Sequence, residues 1–207
     1  SVRDPGCGNG IGWCVGEQRR SAANAITAPR IFPYAFFGSG RDKPITTPDQ
    51  ARQWVRDMKA QGALGMKCFG YRPDILEAAF DELRKLGMGS ACHHAQLDVA
   101  RVNVLTTARW GLTTMEHWYG LPEALFDGQT VQQYPADYNY QNEQHRFAEA
   151  GRLWAQASAK GSERYEAVIT ELLSLGFTLD PTFNIYAATR DLMRARRADW
   201  HEAYTHP

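Results

Sequence analysis

The 207-residue sequence predicts an α/β fold, a parallel sheet of about six strands with helical crossovers that forms part of a (β/α)8 TIM-type barrel. Three observations carry this. Amphipathic helices alternate with short apolar runs. The helices stop at evenly spaced glycines, Gly62 to Gly87 being 25 positions and Gly87 to Gly111 being 24. Each following run ends on a polar, chemically capable residue: Lys67 lies 5 positions past its glycine, His93 and His94 lie 6 and 7 past theirs, and His117 lies 6 past its own. Alternation at that spacing implies right-handed crossovers between parallel strands. Barrels and open doubly wound sheets both place their active sites at the C-terminal ends of such strands.

The elements follow in order. Val2-Arg3-Asp4 reads as a strand, 17–24 as a helix and 30–34 as a second strand. Thr47-Pro48-Asp49-Gln50 is a capping box with Pro at the first helical position, and Ala51, Trp54, Val55 and Met58 share one face of the helix that follows. Ala63 to Phe69 is a buried strand. A helix from Pro73 turns Ile75, Leu76, Ala79, Phe80, Leu83 and Leu86 to a core, and 88–94 is the next strand. A third helix over 98–110 feeds Leu112-Thr113-Thr114-Met115-Glu116-His117, and a last helix over 162–175 feeds Phe177 to Thr182. The period breaks over 127–161, an aromatic-rich insertion with Tyr134, Tyr138, Tyr140, Phe147 and Trp154 that is equally well read as a lid or as stabilising packing.

Composition bounds the function. Lys plus Arg number 23 and Asp plus Glu number 23, so zero net charge argues against a polyanion-binding protein. Hydrophobic residues at 43% and charged residues at 22% suit a globular core. No apolar run reaches the roughly 18–20 residues of a membrane span. Of the four cysteines, Cys7 and Cys14 lie in a Gly-rich loop and could pair, whereas Cys68 and Cys92 read as packed thiols; no spacing matches a zinc clip. The chain opens without Met or a signal peptide and both ends look cut, which leaves cytoplasmic and secreted or periplasmic locations open.

Lys67 stands in an apolar strand, and burying an ammonium is expensive. It is a salt-bridge partner, a Schiff-base nucleophile, or a lysine converted by carbon dioxide to a carbamate. Histidines at matched offsets on the next two strands favour a metal, since neutral imidazoles are common zinc ligands. Only one of His93 and His94 can face the site, because neighbours on a strand point to opposite sides. Glu116 is expected to face away, and His145, His201 and His206 to be solvated.

These pieces resemble the metal-dependent amidohydrolases, in particular the imidazolonepropionase-like and prolidase-like branch. Val2-Arg3-Asp4-Pro5-Gly6 is similar to that family's second-strand segment, Gly62 to Lys67 to the fourth strand with its lysine, and Ala91 to Ala95 to the fifth. Met115-Glu116-His117 is similar to the end of the sixth strand and Leu179-Asp180-Pro181-Thr182 to the seventh. The resemblance implies a carboxylated, catalytic Lys67 bridging two divalent metals, usually zinc, with His94 and His117 as ligands to one of them and His93 as the fallback. A hydroxide held between the metals would attack an amide or peptide carbonyl.

The family's first-strand His-x-His pair and eighth-strand Asp are not in this chain. All 207 residues are therefore expected to be the central part of one barrel domain lacking its first and last strands, with little hydrolysis alone and an exposed apolar seam. The alternatives are a Schiff-base lyase or aldolase using Lys67, or a noncatalytic relative. Trp118, Tyr119 and the insertion suit a small-molecule amide or peptide, a cyclic amide or an aryl ester equally. Neither a nucleic acid nor a membrane span is expected, and oligomeric state is left open.

Overall fold

The structure is a computed structural model that describes residues 1–183 and 191–199. Six strands, β1 (Val2–Asp4), β2 (Ile31–Phe36), β3 (Gly65–Cys68), β4 (Gly89–Cys92), β5 (Thr114–Glu116) and β6 (Thr178–Asp180), form one parallel sheet in strictly sequential order. Helices α1 (Ile11–Ala22), α2 (Pro48–Ala60), α3 (Pro73–Lys85) and α4 (Val104–Trp110) cross between the first five. α5 (Leu121–Ala124), α6 (Glu143–Gln156) and α7 (Glu163–Ser174) lie between β5 and β6, and a short helix spans Leu192–Arg196. His201 and His206 lie outside the described residues.

The sheet is curled. Six strands laid flat would set β1 and β6 about 24 Å apart at about 4.8 Å per step. Instead Arg3 Nη2 on β1 donates to Glu116 Oε1 on β5 at 2.6 Å and to Asp180 Oδ2 on β6 at 3.0 Å. This α/β half-barrel is the architecture the helix and strand alternation predicts.

Strand parity sorts the two faces. Ala35, Met66, Cys68 and Cys92 pack outward with Trp54, Ile75 and Phe80 of α2 and α3 in one buried cluster. Met115 packs outward with residues of α4, α5 and α7 in a second. The opposite parity, Arg3, Tyr34, Lys67, His93, Glu116 and Asp180, faces the concave interior. Two glycines make room there. Tyr34 pairs with Gly65 in register, and Gly65 with Gly89. A Cβ on Gly65 would lie 2.5 Å from the Tyr34 ring, and one on Gly89 would lie 2.0 Å from its hydroxyl.

Local boundaries differ from the periodic reading where a cap intervenes. α1 begins at Ile11, directly after Gly10. α4 begins only at Val104 because Asn103 Oδ1 accepts from the N–H groups of Leu105 and Thr106. At α2, Thr47 accepts from Gln50 N–H as expected, but the Gln50 side chain accepts from Thr46 N–H, one residue ahead of the cap.

Candidate active site

The interior charges meet at the C-terminal ends of β1, β3, β5 and β6. Lys67 is 7% exposed, and its Nζ lies 5.8 Å from the Phe69 ring centroid. Among the described residues no carboxylate lies within 4 Å of it, so the salt-bridge reading finds no direct partner. Burial pulls its ammonium below the ordinary lysine pKa, and the nearby Glu116 charge opposes this. Glu116 is pushed above the usual carboxylate range by burial, against the pull of Lys67 and Arg3. It therefore does not face away as expected. Thr114 and Glu116 share the interior parity of β5, and the carboxylate meets Arg3.

The two consecutive histidines part company after β4. His94 turns outward, where its Nε2 lies 2.9 Å from Thr107 Oγ1 of α4 in a fully buried contact. Thr107 Oγ1 also lies 3.1 Å from Val104 O and 3.3 Å from Asn103 O, so the hydroxyl that meets His94 is held against the backbone of its own helix. His94 Nδ1 is buried without a hydrogen-bond partner among the described residues. Gly120 closes over the ring: a Cβ there would lie 3.0 Å from His94 Cγ. The expectation that His94 joins His117 is corrected by this parity. It is His93 whose ring packs on His117, with centroids 4.4 Å apart, and on Phe69 at 4.9 Å.

All three imidazoles are pushed toward the neutral form. Burial, then the neighbouring His117 and Lys67 charges, lowers His93 to about 4, and burial lowers His94 to about 3. His117 is lowered by burial and by Lys67, with Asp180 opposing.

His117 also occupies a costly backbone conformation, φ 64°, as does Thr182 at φ 57°. The two are joined through Thr182 Oγ1 and His117 Nδ1 at 2.9 Å, while His117 N–H donates to Asp180 O. The strained pair fixes the ring at the end of β5.

The insertion leans on the loop after β4. Gln96 donates to the Tyr134 hydroxyl at 2.9 Å and accepts from that of Tyr138 at 3.0 Å, and the two tyrosine rings stack at 4.3 Å. His145 is partly buried beside Tyr138 rather than solvated.

Sequence reasoning missed Arg3, Asp180 and Thr182 as interior partners. Their signal was weak: an Arg in the middle of a three-residue strand and an Asp at the end of another.

No protein-family model matches the chain, and no curated protein matches it. Among solved structures it is similar to a Xaa-Pro dipeptidase with methionine bound in its active site, at 18% identity and TM-score 0.45 over 56% of this chain and 36% of that one. It is similar to an uncharacterised protein at 18% identity and TM-score 0.47, over 86% of this chain and 52% of that one. It is similar to an amidohydrolase at 16% identity and TM-score 0.45, over 86% of this chain and 53% of that one. The chain thus spans between about a third and about half of the length of these structures.

Proposed function

We propose that the chain carries the central strands of a metal-dependent hydrolase of amide or peptide C–N bonds, with two zinc ions, His93 and His117 as nitrogen ligands and Lys67 as a bridging carbamate. The observation that supports it best is the contact of His93 with His117, 4.4 Å between ring centroids, at the end of the sheet that also receives Lys67.

The donor set fits on one condition. Two half-buried imidazoles, both pushed toward the neutral form, suit zinc, a borderline-soft ion. An ammonium at Lys67 would repel it. The neutral amine that burial favours can attack carbon dioxide: the nitrogen lone pair forms the N–C bond, a proton leaves to solvent, and the side chain becomes an anion. Zinc at this site would supply Lewis acidity, lowering the pKa of water and polarising a carbonyl.

The protein's own groups do the positioning. Thr182 holds His117 through Nδ1, so a cation would be met by Nε2. Arg3 anchors Glu116 and Asp180, keeping their charges in place at the interior wall. Further donors would come from strands added beyond β1 and β6, whose outer edges have no partner strand among the described residues. Substrate would enter past Trp118 and Tyr119 beside the tyrosine-rich insertion, which suits a small amide or peptide with an apolar or ring-bearing group.

The test is zinc content and carbamate content of the purified chain after incubation with zinc and carbon-13 bicarbonate. His93→Ala and His117→Ala should each lose bound zinc relative to the parent, His94→Ala should retain it, and Lys67→Ala should lose the carbamate carbon-13 resonance. Unchanged zinc in the His93 and His117 variants would overturn the reading. Borohydride trapping of a carbonyl compound on Lys67 would replace it with the Schiff-base alternative.

A further inference from the structure

A second cluster lies behind β1, on the opposite side of the strand from Arg3. One ligand atom each from Asp4, Cys7 and Cys14 lie within 4.8 Å of one another, the only such group of three His, Cys, Asp or Glu among the described residues. Cys7 is 4% and Cys14 1% exposed. The carboxylate is fixed at both oxygens: Oδ1 accepts from Cys7 N–H at 3.1 Å and Oδ2 from the Cys14 thiol at 3.1 Å. Cys7 turns back toward the strand at φ 41°.

Asp4 has no Lys, Arg or His within 4 Å among the described residues, although Arg3 is its chain neighbour and pairs elsewhere. The half-buried carboxylate thus lies against two buried thiols with no cationic side chain beside it among the described residues. A cation completes the cluster. Tetrahedral zinc with bonds of about 2.3 Å to sulfur sets its ligand sulfurs about 3.8 Å apart, so only a small closure of the cluster is needed. The exposed Gly8, Asn9 and Gly10 between the cysteines give an entry path and leave a fourth position for water.

We propose that Asp4, Cys7 and Cys14 form a binding site for one thiophilic divalent cation, zinc or cadmium, distinct from the Lys67 end of the interior. On binding, two S–H bonds break and two protons pass to solvent, while two metal–sulfur bonds and one metal–oxygen bond form; nothing is oxidised or reduced. Cys68 and Cys92, opposite one another in the β3/β4 register, have no third ligand among the described residues and serve as the control.

The experiment is titration of the reduced chain with cadmium, read by the ultraviolet charge-transfer absorbance of cadmium–thiolate bonds, which imidazole and carbamate ligands do not produce. The expected band saturates at one cadmium per chain with release of two protons. Cys7→Ala and Cys14→Ala should abolish it. Asp4→Asn keeps both thiols and an oxygen to accept from Cys7 N–H but removes the charge and the acceptor for the Cys14 thiol, and should weaken cadmium by at least about tenfold. Cys68→Ala should leave the band unchanged, as should His93→Ala with His117→Ala, which separates this site from the proposed hydrolytic one. Absence of the band in the parent, its survival in Cys14→Ala, or its loss in Cys68→Ala alone would overturn the proposal.

Discussion

Arg3 on the first strand and Asp180 on the last are 177 positions apart in sequence, yet Nη2 and Oδ2 are 3.0 Å apart. The same guanidinium nitrogen holds Glu116 at 2.6 Å. One side chain therefore ties three strands across the concave face.

Arg3→Ala should cost about 2 kcal/mol in urea unfolding at neutral pH, since it leaves the Glu116 carboxylate buried and unpaired. Arg3 already opposes the upward push of burial on Glu116, so its removal raises that pKa further. A carboxyl raised in the folded state favours folding at low pH, and the stability lost to the variant should shrink as pH falls through the acidic range. A deficit independent of pH would show that Glu116 is not the group left exposed to the loss.

The tyrosine floor gives a paired test. Gly89→Ala and Gly65→Ala should each destabilise by about 1–3 kcal/mol through overpacking. For Gly89 the obstacle is the Tyr34 side chain alone, so Tyr34→Ala should rescue it. For Gly65 a backbone atom also stands in the way, Gly89 O at 2.6 Å, and the same rescue should be incomplete. Thermal denaturation of the single and double variants measures both.

His94 is a stability residue on this geometry. Its folded pKa, about 3 against an ordinary 6.5, is that of a base kept neutral by burial. The unfolded chain takes up the proton first, so stability is complete above about pH 6.5 and falls as pH drops toward 3. His94→Ala should cost about 2 kcal/mol at neutral pH, reduce by about one the protons taken up on unfolding in that window, and leave zinc content alone.

Asp81 on α3 joins Lys85 and Arg84 on its own helix and Arg52 on α2. Hydrogen bonds from Lys85 and then Arg52 lower its carboxyl from 3.8 to about 2. For a depressed acid the stabilisation is present above the unfolded value and disappears as pH falls from 3.8 through about 2. Asp81→Asn should lower the urea midpoint modestly at neutral pH, the cluster being partly solvated, and that deficit should vanish as pH falls from 3.8 through about 2.

The α/β alternation was legible because its signals are local: helical spacing at Trp54 and Phe80, and glycines such as Gly62 and Gly111 that turn at φ 96° and 110°. The strand ends were legible as positions of chemistry. Which way each side chain points was not. Choosing between His93 and His94 requires knowing where extended parity stops, and β4 keeps it one residue past Cys92. Glu116 was misjudged because its partner, Arg3, comes from 113 residues upstream. Cys7 and Cys14 were legible as possible neighbours, though the structure leaves both as free thiols, and Asp4 was not placed with them because the turn at Cys7 that brings them together has no regular period.

The sequential strand order has a consequence for how the chain comes together. Every new strand adds to the one made just before it, so the sheet can be laid down in the direction of synthesis, each helical crossover docking as it leaves the ribosome. The tie from Arg3 to Asp180 must wait until β6 exists. Until then a growing chain displays a charged, half-lined trough, and β6 is the strand that brings Asp180 across it to Arg3.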